Sequence, residues 1–335
     1  MLELIVAGFM CVALIFYAVT GGADFGGGMW DLLATGPRAS AQRNAIAKAI
    51  GPIWEADHVW LILVIVILFT GFPRGFSGLT TALNIPMTLM LFGIVLRGAA
   101  FIFRKYDVKS EKIQSRWSTL FGAASFFTPF IQGLTLGALS TGQIRIIDGR
   151  LTTGFFAGWL TPFAIACGFF ALALFAFLAA TYLTADPSAD PDVRKEFRLR
   201  ALWSGSVLAP IAFVVFLTSK QGAPAMYQGL TQWWAPFLIG ATLCFAIAAL
   251  ASLWLRRFAL ARIAAIGEVT LILGGWSLSQ FPRLITPDIT IYNAAAPAIT
   301  LRLLIYALVA GTIILFPSLF FLFRIFKGKA VESGA

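Results

Sequence analysis

Apolar residues in this chain come in long unbroken blocks, not at the spacing of a soluble amphipathic helix or a half-buried strand. Each block is about the length that carries a helix across a bilayer, roughly 20 residues. Nine are read, at 2–22, 56–72, 79–103, 117–139, 155–184, 201–219, 233–255, 262–280 and 300–325. The longest polar connections are 24–57, 104–116 and 184–200. The pattern predicts an all-α polytopic membrane protein, about nine transmembrane helices in bundles, forming one integral membrane domain over residues 1–335. Residues 38–50, "RASAQRNAIAKAI", are too short and polar to span. There Ala45, Ile46, Ala49 and Ile50 can share a helical face away from Arg43 and Lys48, which predicts a short interfacial helix. Pro52 suits the first turn of the helix that follows.

Composition agrees. The chain is 59% hydrophobic and 12% charged, where a soluble domain carries about 25% charged residues. The net charge of +10 would raise nucleic acid as a partner in a soluble protein. Here the basic residues sit in short loops and report topology instead, and no nucleic-acid partner is expected. Of the 25 Lys and Arg, 18 fall on one side and 5 on the other, with Arg97 and Arg302 inside spans. That split places the N-terminus outside and the C-terminus in the cytoplasm. "MLELIVAGFM" has no basic residue before its apolar run, so residues 1–22 are expected to be a retained span, not a cleaved signal peptide. Cys11, Cys167 and Cys244 lie inside apolar runs with no CxxC pattern and are expected to be buried small hydrophobes. "FPR" recurs at 72–74 and 281–283, each expected at the outer end of a span.

Ionisable groups inside spans are costly and mark candidate function. They are Asp24, Glu55, Asp57, His58, Arg97, Glu268 and Arg302. "GPIWEADHVWLI" puts Glu55, Asp57 and His58 at the cytoplasmic mouth of the second span, between Trp54 and Trp60. Glu55 and His58, three apart, share a helix face, while Asp57 points elsewhere. Acids at a helix start can simply answer the macrodipole, and tryptophans can simply anchor at the interface. Partly desolvated carboxylates beside a histidine can also pass protons. Asp24 lies in "TGGADFGGGMWDLL", whose glycines are expected to break the helix and let backbones approach. It is either a solvated loop aspartate or a near neighbour of Glu55. Arg97 and Arg302 are expected to snorkel toward the surfaces. Glu268, in "AAIGEVTLILGG", needs a partner or a proton.

The chain has one histidine, and bis-histidine haem sites need more. It has no Cys-x-x-Cys-His, no nucleotide motif and no nucleophile–base–acid set. Redox cofactors, if the protein works with them, belong mostly to another subunit, and no metal site is expected here.

Together, "AVTGGADFGGGMWDLL" (18–33), "RNAIAKAIGPIWEADHVWLI" (43–62), "FTGFPRGFSGL" (69–79), "VLRGAAFIFR" (95–104) and "RWSTLFGAASFFTPFIQG" (116–133) resemble subunit II of cytochrome bd-type quinol oxidases. The resemblance covers the whole chain, with its motifs concentrated in the first 135 residues. It implies a partner, subunit I, which carries haems b and d, or a b-type replacement of the latter, and oxidises quinol. The complex would sit in the bacterial inner (cytoplasmic) membrane and reduce dioxygen to water electrogenically, without pumping. Subunit II would stabilise subunit I and help supply cytoplasmic protons. Membrane lipids, quinone and, in some assemblies, a small accessory subunit would be further partners.

Residue by residue, the family pattern resembles W-D-x-N-x-V-W-L. Glu55 takes its Asp position, after Trp54 and before Val59, Trp60 and Leu61. Asp24 matches the aspartate of a G-x-D-x-G-x-G stretch. Asp57 stands where the family has Asn, and His58 where long-chain members have Gln. Ile102 replaces an acid found in some members. These replacements look like the cyanide-insensitive branch. The resemblance implies a proton path of Glu55, Asp24, Asp57 and His58, with Trp60, Trp54 and Arg97 near the subunit contact or an oxygen route. It gives Glu268 no role. A stand-alone secondary transporter, with Glu268 and Arg97 in its substrate path, and a purely structural scaffold are the competing readings. A haem spectrum of the chain purified with its native partners separates the oxidase subunit from the transporter.

Overall fold

The computed structural model describes residues 1–106, 111–185 and 190–332, with the side chains at 50–56, 105–106, 111–112 and 322–332 outside the described set. Among the described residues there are eleven α-helices and two short hairpins. Eight helices are long and apolar enough to cross a membrane, and a bent pair supplies a ninth span if counted as one.

Helix α1 runs unbroken from Leu2 to Leu32, past the end expected near residue 22. Its glycines do not break it. They serve packing, because a bare Cα lets a neighbouring helix come close without any hydrophobic penalty to gain from lipid. A Cβ at Gly26 would run into the Phe175 carbonyl on α6 (Pro162–Thr184), and one at Gly22 would meet the Phe175 ring. The same device joins α5 (Glu111–Ser140) to α6, where Gly133 and Gly137 face Cys167 and Ala164.

Helix α2 spans Ala39–Gly71 without interruption. The interfacial helix expected at 38–50 is therefore the first part of a long helix, and Pro52 lies within it. The reason is that its apolar face meets protein, not lipid. Ile46 is buried against Ala100, Phe121, Val193 and Phe197. Gln42 donates to Glu196 and accepts from Arg200, both on α7 (Pro191–Gly222). At Phe72–Pro73 the chain bends by 115° into α3 (Pro73–Ala82), because proline cannot continue the preceding hydrogen-bond ladder. Helix α4 (Asn84–Tyr106) then returns.

The remaining helices are α8 (Pro224–Leu230), α9 (Ala235–Trp254), α10 (Phe258–Gln280) and α11 (Ala298–Glu332). Antiparallel hairpins β1–β2 (Ile146–Ile147, Arg150–Leu151) and β3–β4 (Arg283–Ile285, Ile289–Thr290) close one end of the bundle. In the first, Asp148 and Gly149 both have positive φ, as a tight two-residue turn of type I′ demands. Arg145 Nε donates to Asp288 Oδ2 at 2.9 Å and ties the hairpins together. The opposite, basic end is stitched by arginines: Arg38 pairs with Glu196 at 2.5 Å, and Arg198 Nε donates to the Leu253 carbonyl at 2.7 Å. Cys244 is exposed on α9, on the apolar perimeter and not in a core; Cys11 and Cys167 are half-buried.

Candidate functional site

Helix α1 carries its polar groups on one stripe. Tyr17, Gly21, Asp24, Gly28 and Asp31 recur every three or four residues, so they lie above one another. Asp24 and Asp31 are two turns apart. Helix α4 presents Arg97 and Arg104 at the same interval, and both ion pairs span 73 residues of sequence. Equal offsets mean that α1 and α4 run parallel, joined by two rungs.

The inner rung is fully enclosed. Asp24 is 0% exposed and Arg97 2%. Arg97 Nη2 donates to Asp24 Oδ1 at 2.7 Å and to the Asp24 carbonyl at 3.1 Å, Nη1 lies 2.5 Å from Oδ2, and Nε donates to Ser125 Oγ at 3.0 Å. Its guanidinium lies over the Phe25 and Phe121 rings, 4.6 and 4.8 Å from their centroids. Buried ion pairs persist only when the remaining polar groups are satisfied; Arg97 Nε and Nη2 are, whereas Asp24 Oδ2 has the Nη1 charge beside it and no hydrogen bond. The outer rung, Arg104 Nη1 to Asp31 Oδ2, measures 2.8 Å.

Asp57, on α2, is also 0% exposed. Its Oδ1 lies 2.6 Å from His58 Nδ1. Its Oδ2 has no hydrogen-bond partner and points at Gly21, where a Cβ would sit 3.5 Å away. Asp57 and Asp24 are close enough for their charges to interact. Gln132 Nε2 donates to Tyr17 Oη at 2.5 Å beside the same glycine. The cluster thus holds two carboxyls and one guanidinium in a low-dielectric interior, with the partly exposed imidazole of His58 at its edge. Arg97 compensates one carboxyl. Neutrality requires one more proton, on His58 or on a carboxyl. A buried carboxyl in contact with an imidazole has the groups that proton exchange needs.

Several expectations are corrected. Arg97 does not snorkel; Asp24, fixed inside a helix by the close α1–α6 packing, gives it a buried partner. Asp24 is not a solvated loop residue. Trp60, expected near the subunit contact, is 4% exposed and stacks on Phe16 at 4.5 Å with Phe316 alongside. His58 pairs with Asp57. The side chains of Trp54 and Glu55 lie outside the described residues. Glu268 is 5% exposed on α10, and its Oε2 has no hydrogen-bond partner. It forms no ion pair among the described residues. Arg302 is exposed. Among the described residues no group of three His, Cys, Asp or Glu could hold a metal. Sequence reasoning passed over Asp31, Arg104, Tyr17 and Gln132. The available signal was the matched seven-residue spacing of the two acids and the two arginines.

The chain matches the family model described as cytochrome bd terminal oxidase subunit II over residues 2–326. It is 25% identical over 325 residues to the putative cytochrome bd menaquinol oxidase subunit II of Bacillus subtilis, covering 93% of this chain and 92% of that protein. To the cytochrome bd-I ubiquinol oxidase subunit 2 of Escherichia coli K12 it is 28% identical over 208 residues, 61% of this chain and about half (52%) of that protein. Its fold is similar to a chain of the bd oxidase from Geobacillus thermodenitrificans, with a TM-score of 0.78 and 21% identity over 97% of this chain and 98% of that one.

Proposed function

This chain belongs to the cytochrome bd terminal oxidase subunit II family, and we propose that within such an oxidase it conducts protons from the cytoplasm toward the site of dioxygen reduction while bracing its partner. It is a multi-pass membrane subunit of a bacterial respiratory oxidase, an oxidoreductase complex, and membership implies a subunit I partner. Haems b and d, or a b-type replacement of the latter, reside in subunit I in this reading, and quinol supplies the electrons. The complex sits in the bacterial inner membrane with the basic end of this chain in the cytoplasm, as the 18-to-5 division of Lys and Arg supports.

Reducing dioxygen to water consumes one proton per electron, and those protons must cross apolar protein. The observation that carries the proposal is the Asp24–Arg97–Asp57 cluster, enclosed except where His58 reaches its edge, which has one more carboxyl than Arg97 compensates. Arg97 anchors Asp24. Asp57 and His58 hold the exchangeable proton, with Asp57 Oδ2 free to pass it to Asp24. Glu55, which occupies the family's acid position, stands just before them in sequence as a further acid on the path.

Asp57→Asn tests this. Expected is a loss of quinol-driven oxygen uptake of about tenfold, a barrier rise near 1.4 kcal/mol, with normal haem content. Glu55→Gln should act in the same direction. The buried Asp24–Arg97 pair by itself also suits a purely structural scaffold. Full turnover of Asp57→Asn and Glu55→Gln across the pH range would select that reading instead.

A further inference from the structure

We propose that Asp31 is the group that loads protons from solvent, at the floor of a polar pocket on the basic end, and passes them along α1 toward Asp24. This rests on the proton-uptake reading above and names where that uptake begins.

The pocket has a volume of about 360 Å³ and is lined by Asp31, Arg43, Arg104 and the hydroxyls of Ser40, Ser115 and Ser118, among others. Ser40 and Ser115 are exposed, so water reaches it from the surface. Asp31 is only 1% exposed. Arg104 takes its Oδ2 at 2.8 Å, while its Oδ1 has no hydrogen-bond partner. Arg43 donates to the backbone, from Nε to the Asp31 carbonyl at 3.4 Å and from Nη2 to the Ala34 carbonyl at 3.2 Å. A buried carboxylate oxygen with no protein donor, beside a water-accessible pocket, is built to take a proton or bind water, not an anion.

The onward direction follows from the stripe on α1. Asp24 lies two turns farther in, a rise of about 10 Å. Gly28 lies between them, and its missing side chain makes room for Ser125, the hydroxyl that accepts from Arg97 Nε at 3.0 Å. Ser125 Oγ donates to the Phe121 carbonyl at 2.7 Å, so passing a proton over that interval requires this hydroxyl to turn away from that carbonyl. The ion pair with Arg104 also explains the matched spacing: Arg104 holds Asp31 at the pocket floor as Arg97 holds Asp24 in the interior.

The test uses the intact oxidase in membranes. Asp31→Asn should lower quinol-driven oxygen uptake about fivefold or more, keep normal haem spectra, and regain part of its rate when millimolar acetate enters the pocket as a substitute proton carrier. Asp31→Glu should keep most of the activity. Parental turnover in Asp31→Asn overturns the proposal, as does a slow rate that acetate leaves unchanged. If Asp31→Asn loses haem, Asp31→Asn/Arg104→Gln, which leaves no unpaired guanidinium, is read the same way. Asp24→Asn is measured in parallel. A slow Asp24→Asn beside a normal Asp31→Asn overturns this loading site alone; normal rates in both overturn the uptake reading as well.

Discussion

Two acids are buried on helices that share one core, Asp24 on α1 and Glu268 on α10, and their surroundings differ. Asp24 meets a guanidinium that is itself saturated by Asp24, Ser125 and two aromatic faces. Glu268 is nearly as buried but has no ion pair among the described residues. The α1–α2–α4–α5 quarter of the bundle stacks ionisable groups into rungs. The α9–α10 region surrounds its one acid with apolar side chains such as Ala264, Ala265 and Val269. Removing a partner from a buried ion pair strands a charge, whereas altering a lone acid strands nothing. The first region is built for charge and the second tolerates it.

The comparison can be broken in steps of decreasing size. Arg97→Leu should have the largest effect, about 3–5 kcal/mol, because Asp24 is left charged and unpaired. The check is assembled-complex yield and thermal stability, and Asp24→Leu/Arg97→Leu should recover much of the loss. A single variant as stable as the parent would mean that Asp24 is not held as an anion. Gly26→Ala comes next, at about 1–3 kcal/mol, since the added methyl meets the Phe175 carbonyl and forces α1 and α6 apart. Gly240→Ala, where nothing lies within 4 Å, is its control and should be neutral or gain up to about 1 kcal/mol of helix preference. Glu268→Gln should have the smallest effect, within about 1 kcal/mol of the parent and with unchanged oxygen uptake. If it slows turnover as much as Asp57→Asn, the two regions share the proton task and the contrast drawn between them fails.

The family-bearing stretches were legible early because they concentrate glycine, tryptophan and acid where a membrane helix normally has none. Asp24, Asp57 and His58 all stand out for that reason. Their partners did not. Arg97 lies near the end of its apolar run, where a long cationic side chain ordinarily reaches back to the surface; only the position of α4 beside α1 turns it inward. Asp31 and Arg104 each read as ordinary residues flanking a span, and their meaning depends on both helices sharing one register. The glycines of α1 announced close approach but not to which helix. A run of glycines is compatible with a break and with a tight interface, and the presence of α6 decides between them.

Composition and the length of the apolar blocks alone determined that this chain crosses a membrane several times. A bilayer demands about 20 apolar residues per helix whatever those helices touch, and that demand is local in sequence. The pairing of Asp24 with Arg97 and Asp57 with His58, the inward turn of Ile46, and the pocket above Asp31 were decided only in three dimensions. Each depends on which helix faces which, and one apolar helix surface looks much like another until small residues, arginine reach and register select its neighbour.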